Sequence, residues 1–294
     1  IDYEQQDETL EVEVGNIIIA TGWDLFDCKR IPQYGYGRLA NVFTNMEFER
    51  LCNAAGPTSG KIVMRDGVTE PESVAIIHCV GSRDVNFNQH CSAVCCMAAL
   101  KFGHLVLEKT KAEVYSYYID MRTNQKEYEE FYQRLLEEGM HFVRGKVAEV
   151  TDAARKPSEE GKLIVQYEDT LLGDMVILMG AIEPQADAKD LGLKCGISCS
   201  MAGWYTERHP KLDPVATMTD GVFVAGSCQG AKDIPASVAQ GAAAAARVQA
   251  MITKGEVMIE PIVATINEEA CSGCRICNNM CPYNAIEYDE EKNV

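Results

Sequence analysis

At 294 residues the chain has length for roughly two domains, and its 47% hydrophobic fraction supports a sizeable core. A formal net charge of −17 argues against nucleic-acid binding, which requires a basic face. The longest apolar runs, residues 17–20 and 175–179, are far too short to span a membrane.

In chain order, residues 10–14 alternate apolar and acidic side chains, the pattern of a strand. Residues 16–20 read as a short buried strand ending in the turn Ala20-Thr21-Gly22. Residues 45–52 read as a helix, and 57–60 and 66–71 as loops. A second buried strand covers 73–78, followed by a helix over 92–109 and a strand over 113–119. Residues 126–138 form a helix, and 141–149, 162–168 and 174–180 form strands. A further strand covers 219–227. A helix starts near Pro235, a residue suited to the first helical turn, and runs through the Ala-rich stretch to residue 251. Apolar strands alternating with helices imply an α/β domain with a largely parallel sheet.

The chain holds thirteen cysteines and no charged-then-apolar leader, which points to a reducing, cytoplasmic compartment and to metal or redox use. The first residue is Ile1, not Met, so a processed or incomplete chain is expected. The run Cys271-Ser-Gly-Cys274-Arg-Ile-Cys277-Asn-Asn-Met-Cys281-Pro282 has the C-x2-C-x2-C-x3-C-P spacing of a bacterial-type [4Fe–4S] motif. In two-cluster ferredoxins the fourth Cys serves the other cluster, so Cys281 is expected to do the same. Zinc would favour two separated Cys pairs, and residues this close rarely reach disulfide geometry.

Cys79, Cys91, Cys95 and Cys96 form a second thiol set. Cys79 follows a strand where a nicotinamide-binding domain places its Gly-rich phosphate turn, but of G-x-G-x-x-G only Gly81 remains. Cys95 and Cys96 are placed at the start of a helix, whose positive end favours thiolates and an anionic cluster. Taken alone, the residues leave a cluster and four buried structural thiols as equal readings.

Residues 16–22, 175–180 and 219–227 resemble the chain pattern of two-dinucleotide-domain flavoproteins, with Ser227 standing where that pattern has Asp. More narrowly, Cys79-Val-Gly-Ser-Arg-Asp, Cys91-Ser-Ala-Val-Cys95-Cys96, Tyr118-Ile-Asp-Met-Arg122, Tyr128-Glu-Glu-Phe-Tyr132 and Gln229-Gly-Ala-Lys-Asp-Ile-Pro235 resemble the heterodisulfide reductase family, in its flavin- and iron–sulfur-bearing A-type subunit. The likeness extends from about residue 11 to 288. It implies a thioredoxin-reductase-like α/β scaffold with an appended α+β ferredoxin-like module. The expected parts are a flavin-domain part (1–66), a degenerate nicotinamide-domain-like region carrying a cluster (67–185), a second flavin-domain part (186–256) and a partial [4Fe–4S] module (257–294).

The resemblance also implies FAD and [4Fe–4S] clusters as cofactors. Cys79, Cys91, Cys95 and Cys96 would hold a non-standard cluster. Thr21, Gly22, Gly226, Ser227, Lys232, Ile234, Pro235, Ala236 and Gln240 would border the flavin, with the helix start at 234–236 favouring the reduced anion. Lys101 is a catalytic candidate, a cation beside the flavin or cluster, or else a solvated helix lysine. The family's first Gly-rich flavin turn is absent, so this segment alone is not expected to hold FAD tightly.

The implied activity is electron bifurcation in a multi-subunit, dimeric complex. Hydrogenase or formate dehydrogenase would supply electrons, and ferredoxin and the CoM-S-S-CoB-reducing subunit would receive them. The alternatives are a homologous subunit in sulfate or aromatic-ring reduction, or a purely electron-wiring module. Cys28, Cys52, Cys195, Cys199 and Cys228 lack a ligand pattern. His78, His90 and His209 read as structural.

Overall fold

A computed structural model describes residues 3–168, 170–256, 264–281 and 285–294. Two compact units divide the chain. One holds Ile1–Gly22, Pro184–Gly230 and Ile234–Val294; the other holds Trp23–Glu183 and Ala231–Asp233. The first change of unit therefore falls after Gly22, well before the expected boundary at residue 66. The second falls after Glu183, close to the expected 185.

The elements, in chain order, are β1 (Ile17–Ile19), β2 (Asp24–Leu25), β3 (Val42–Thr44), α1 (Asn45–Cys52), β4 (Ser73–Val80), α2 (Cys95–Lys109), β5 (Glu113–Tyr118), α3 (Tyr128–Glu137), β6 (His141–Arg144), β7 (Glu149–Thr151), β8 (Leu163–Gln166), β9 (Thr170–Gly173), β10 (Met175–Gly180), β11 (Ile182–Glu183), α4 (Ala188–Lys194), β12 (Val222–Val224), α5 (Ile234–Lys254) and α6 (Ile276–Met280).

The unit around Trp23–Glu183 is built on a parallel five-stranded sheet of order β3-β10-β4-β5-β6. Strand alternation sends Val74 and Ile76 to one face and Ala75 and Ile77 to the other. The first pair packs with Leu100, Phe102 and Leu135 of α2 and α3. The second packs with Val150, Leu163 and Val165 of the antiparallel β7-β8-β9 sheet. Both faces are covered, so β10 is buried along its whole length and reads as an unbroken apolar run, as expected for a central parallel strand. Helix α1 begins at a capping box. Thr44 Oγ1 accepts from Glu47 N at 3.2 Å and Glu47 Oε2 accepts from Thr44 N at 2.9 Å, worth about 1 kcal/mol.

In the other unit β1 pairs with β12 in parallel, Ile17 opposite Val222 and Ile19 opposite Val224. Ile19, Val222 and Val224 pack on Ala188, Ile197, Tyr205 and Cys228. Helix α5 follows β12. Among the described residues no helix is long and apolar enough to cross a membrane.

Several sequence expectations are corrected. Residues 10–14 form no strand, and Leu10, Val12 and Val14 are exposed. No neighbouring strand among the described residues supplies the hydrogen bonds a strand needs. In β1 only Ile19 is buried, and Ile17 and Ile18 are exposed. Helix α2 starts three residues late because Ala93 adopts a left-handed φ of 58°. The expected strand over 141–149 is split into β6 and β7 at Gly145, whose φ is 157°. Strand β3 and helix α4 have no counterpart in the sequence reading. The start of the expected last module, residues 257–263, and Pro282 lie outside the described residues.

Candidate functional sites

At the carboxyl end of the central strand β4 the chain enters the loop 81–94 and returns as α2. Ligand sites of open parallel sheets lie at this end of the strands. The loop is unusually contorted, with Cys79, Arg83 and Ala93 all left-handed at φ 56°, 53° and 58°. Such non-glycine positions are costly and persist only where the surroundings enforce them. Gly81, at φ 78°, is required for a second reason: a Cβ there would lie 2.6 Å from the Phe26 ring. Asn88 ties the loop down, its side-chain amide donating to Gly81 O at 2.9 Å and to Glu183 Oε1 at 2.7 Å.

This fold gathers Cys79, Cys91, Cys95 and Cys96. Three of the thiols are buried and Cys91 is half-buried. They are close enough that each of Cys79 and Cys95 feels the charge of Cys96 and Cys91. The Cys95 thiol, hydrogen-bonded to Cys96, holds Cys96 well below the ordinary thiol range, and the His78 imidazole and a backbone N–H of Arg122 act in the same direction. Cys95 is pushed up by that same hydrogen bond and by burial. Burial likewise raises Cys79, partly offset by Arg83.

Three buried polar atoms around the set lack a well-formed hydrogen bond: His78 Nδ1, Ser82 Oγ and Arg83 Nη1. His78 and Ser82 face Cys96 and Cys79. A group larger than a single ion, bridging the four thiolates, would use these atoms. Among the described residues no three His, Cys, Asp or Glu side chains close into a single-ion site. The donor set is four cysteine sulfurs, the ligand type that iron–sulfur clusters require, and it fits one. A cavity of about 630 Å³, lined by Cys91, Ala93, Met121 and Arg122 among others, opens the Cys91 side.

The sequence alone marks His78 as structural. The structure places its Nε2 2.8 Å from Ser116 Oγ and sets the imidazole near enough to Cys96 to lower that thiol. Only its place next to Cys79 could have signalled this. His90, bonded to Ile182 O at 2.8 Å, and His209, whose Nδ1 accepts from Lys211 and Leu212 N, lock local backbone. Lys101 lies on the α2 surface with its Nζ 2.5 Å from Glu49 of α1.

In the other unit, the parallel register of β1 and β12 brings the turn at Thr21 and Gly22 beside that at Gly226 and Ser227, with Ala225 N donating to Ile19 O at 2.9 Å. Gly22 and Gly226 have φ of 80° and 78°, and a Cβ on either would enter open space. That is backbone which another molecule can approach closely. Gly226 N donates to Gln240 Oε1 at 2.8 Å, so Gln240 fixes the turn. Ile234, Pro235 and Ala236 form the first turn of α5, and Ile234 is 80% exposed. Lys232 belongs to the Ala231–Asp233 segment of the other unit, where Asp233 accepts from Tyr128 OH at 3.2 Å. The residues of the first unit fit a flavin edge. Cys228 is buried, with its Sγ 3.3 Å from Ile19 O and 3.2 Å from Ala225 O. Cys195 and Cys199 are free thiols packed beside the Ile19–Val224 core.

The last segment places Cys271, Cys274, Cys277 and Cys281 around α6. Gly273 N donates to Cys271 Sγ and Ala285 N to Cys281 Sγ, both at 3.4 Å. A backbone N–H of Ile276 and the Ser272 hydroxyl hold Cys274 below the usual thiol range. N–H donors aimed at sulfur are what cluster-bound thiolates use. Gly273, φ 68°, has the backbone O of Asn293 2.6 Å from where a Cβ would stand.

Comparison with known proteins bears on the last segment, the fold and the family. Residues 264–287 match the 4Fe-4S binding domain model. The fold is shared with the HOCl-induced flavoprotein disulfide reductase RclA from Escherichia coli, solved as a Cu(II) complex. That likeness has a TM-score of 0.52 at 14% identity, covering 84% of this chain and 47% of that one.

Over 99% of its length the chain is 46% identical to the second A-type iron-sulfur subunit of the CoB--CoM heterodisulfide reductase of Methanopyrus kandleri, covering 45% of that protein. It is 45% identical, with the same coverage, to the A-type subunit of the H(2):CoB-CoM heterodisulfide,ferredoxin reductase of Methanothermobacter marburgensis. Identity to the A-type subunit of the Ferredoxin:CoB-CoM heterodisulfide reductase of Methanosarcina mazei is 40%, covering all of this chain and 38% of the relative. The chain spans less than half the length of each of these relatives. It is therefore homologous, along nearly its whole length, to a portion of the A-type subunit of heterodisulfide reductase.

Proposed function

We propose that this chain is the flavin- and cluster-bearing electron-transfer portion of a heterodisulfide reductase A-type subunit. The observation that carries the proposal is the replacement of a dinucleotide phosphate turn, at the end of β4, by four converging thiols. A phosphate needs glycine backbone and N–H donors there. Cys79 and the paired Cys95 and Cys96 at the start of α2 supply sulfur instead.

Cys79, Cys91, Cys95 and Cys96 hold one [4Fe–4S] cluster, and Cys271, Cys274 and Cys277 ligate another, with Cys281 serving a further cluster. Thr21, Gly22, Gly226, Ser227 and the first turn of α5 border FAD, with Gln240 as a further contact. When bound, FAD would supply the exchange between two-electron and one-electron chemistry, and these residues would position it. Lys101 of α2, paired with Glu49, is one candidate cation to offset an added electron.

The complex is a cytoplasmic, dimeric assembly. Hydrogenase or formate dehydrogenase delivers electrons. Ferredoxin and the subunits that reduce the CoM-S-S-CoB disulfide accept them. Anaerobic purification of the intact complex, with flavin, iron and sulfide quantified for each component chain, tests the reading. Flavin together with clusters is expected, and a complex without flavin refutes it.

A further inference from the structure

The loop that carries Cys79 also carries a cation whose placement the ligand pattern does not require. Arg83 is held left-handed, its N–H donating to His90 O at 3.0 Å. One guanidinium nitrogen, Nη2, binds Asp120 Oδ2 at 2.7 Å. The other, Nη1, is buried and has no hydrogen-bond partner. Asp120 is shared with Arg144, 3.1 Å from its other oxygen, and its backbone carbonyl lies 3.8 Å from Cys96 Sγ. The Arg83–Asp120 pair thus abuts the thiol set. A buried guanidinium nitrogen left unpaired costs free energy unless something anionic faces it.

We propose that Arg83 is a positioning residue for the four-thiol cluster, its free Nη1 facing the cluster and setting its reduction potential, with Asp120 holding the guanidinium in place and attenuating its charge. This rests on the assignment of a cluster to Cys79, Cys91, Cys95 and Cys96. The electrostatics are consistent: the hydrogen bond to Asp120 does most to favour the charged form of Arg83, and Cys79 and Cys91 act in the same direction. Reduction adds one electron from a one-electron donor and so one unit of negative charge at the thiolate-bound centre, with no proton required. A fixed cation at short range stabilises that added charge and raises the potential. Asp120 opposes it. The guanidinium is suited to the task because it stays protonated and is planar, so one edge can bind Asp120 while the other faces the cluster.

The test is an EPR-monitored redox titration, with dithionite as reductant, of the full-length protein in its complex. Cys91→Ser and Cys96→Ser identify which signal belongs to this cluster. Arg83→Gln is expected to make reduction of that centre about tenfold less favourable, a fall of about 59 mV for a one-electron couple. Arg83→Lys should recover much of the shift, and Asp120→Asn should move the potential upward. The signal of the ferredoxin-type module should not move. An Arg83→Gln protein with full iron and an unchanged potential overturns the proposal. If Arg83→Gln loses its iron, Asp120→Asn decides: a rise supports the role of Arg83 and no change overturns it. If instead the two Cys variants keep all iron and all signals, it is the cluster assignment that has failed.

Discussion

His78 Nε2 lies 2.8 Å from Ser116 Oγ, a bond between the adjacent strands β4 and β5 that holds the imidazole in place beside the thiol set. Ser116 is fully buried, so no water replaces it. Ser116→Ala leaves a buried ring nitrogen unpaired and is expected to destabilise the protein by about 1–3 kcal/mol. Denaturant unfolding measures this, and a loss below about 0.5 kcal/mol would mean that the ring finds another partner.

Gly81 sits against Phe26 under the cysteine loop. Gly81→Ala imposes both a left-handed alanine and a 2.6 Å clash with the aromatic ring. A cost of about 2 kcal/mol or more is expected, with lowered iron content because the loop must move. Phe26→Leu in the same background should restore part of the loss. Unchanged stability and iron would show that the loop is not held at this point.

Asp174 accepts from Glu72 N at 2.9 Å, Ser73 N at 3.2 Å and Lys162 Nζ at 2.6 Å, tying the start of β4 to β10 and β8. Burial pushes its carboxyl up, but Lys162 and the backbone donors outweigh burial and leave it below its ordinary value of 3.8. A depressed carboxylate contributes stability that is fully present above its unfolded pKa and is lost as pH falls through the lower, folded one. Stability should therefore be flat in this term above about pH 5 and decline below about pH 4. Asp174→Asn should lower stability at pH 7 and flatten the acid limb of the curve. An acid limb identical in variant and parent would contradict the assignment.

Gly226 turns the chain after β12 with open space where a side chain would stand. Gly226→Ala costs about 1 kcal/mol through its left-handed backbone and places a methyl on the proposed flavin edge. Flavin affinity of the intact protein is expected to fall about tenfold, or 1.4 kcal/mol. Cys228→Ser, buried behind the same turn, should leave the flavin spectrum unchanged. Equilibrium dialysis and visible absorbance check both.

Much of this architecture is legible in the residues. The buried run at Met175–Gly180 announces a central strand because both faces of the sheet are covered. Thr44 and Glu47 bracket α1 in a capping box that local chemistry alone dictates. The two cysteine sets are visible as spacing. What sequence does not reveal is long-range. Residues 10–14 carry strand alternation, yet a strand exists only with a neighbour. Residues 23–66 group with the flavin part by sequence, but β3 pairs with β10, more than a hundred positions away. The partners of His78 and Arg83, Ser116 and Asp120, come from β5 and the turn after it. Nothing local to the β4 loop names them.

The central claim is that Cys79, Cys91, Cys95 and Cys96 carry an iron–sulfur cluster. Its most direct test is the iron and acid-labile sulfide content of the anaerobically purified full-length protein beside its Cys91→Ser/Cys96→Ser variant. The variant should lose one cluster's complement of iron and sulfide while the signal of the module around Cys271, Cys274 and Cys277 persists. Unchanged iron in a folded variant, or zinc in place of iron in the parent, would contradict it.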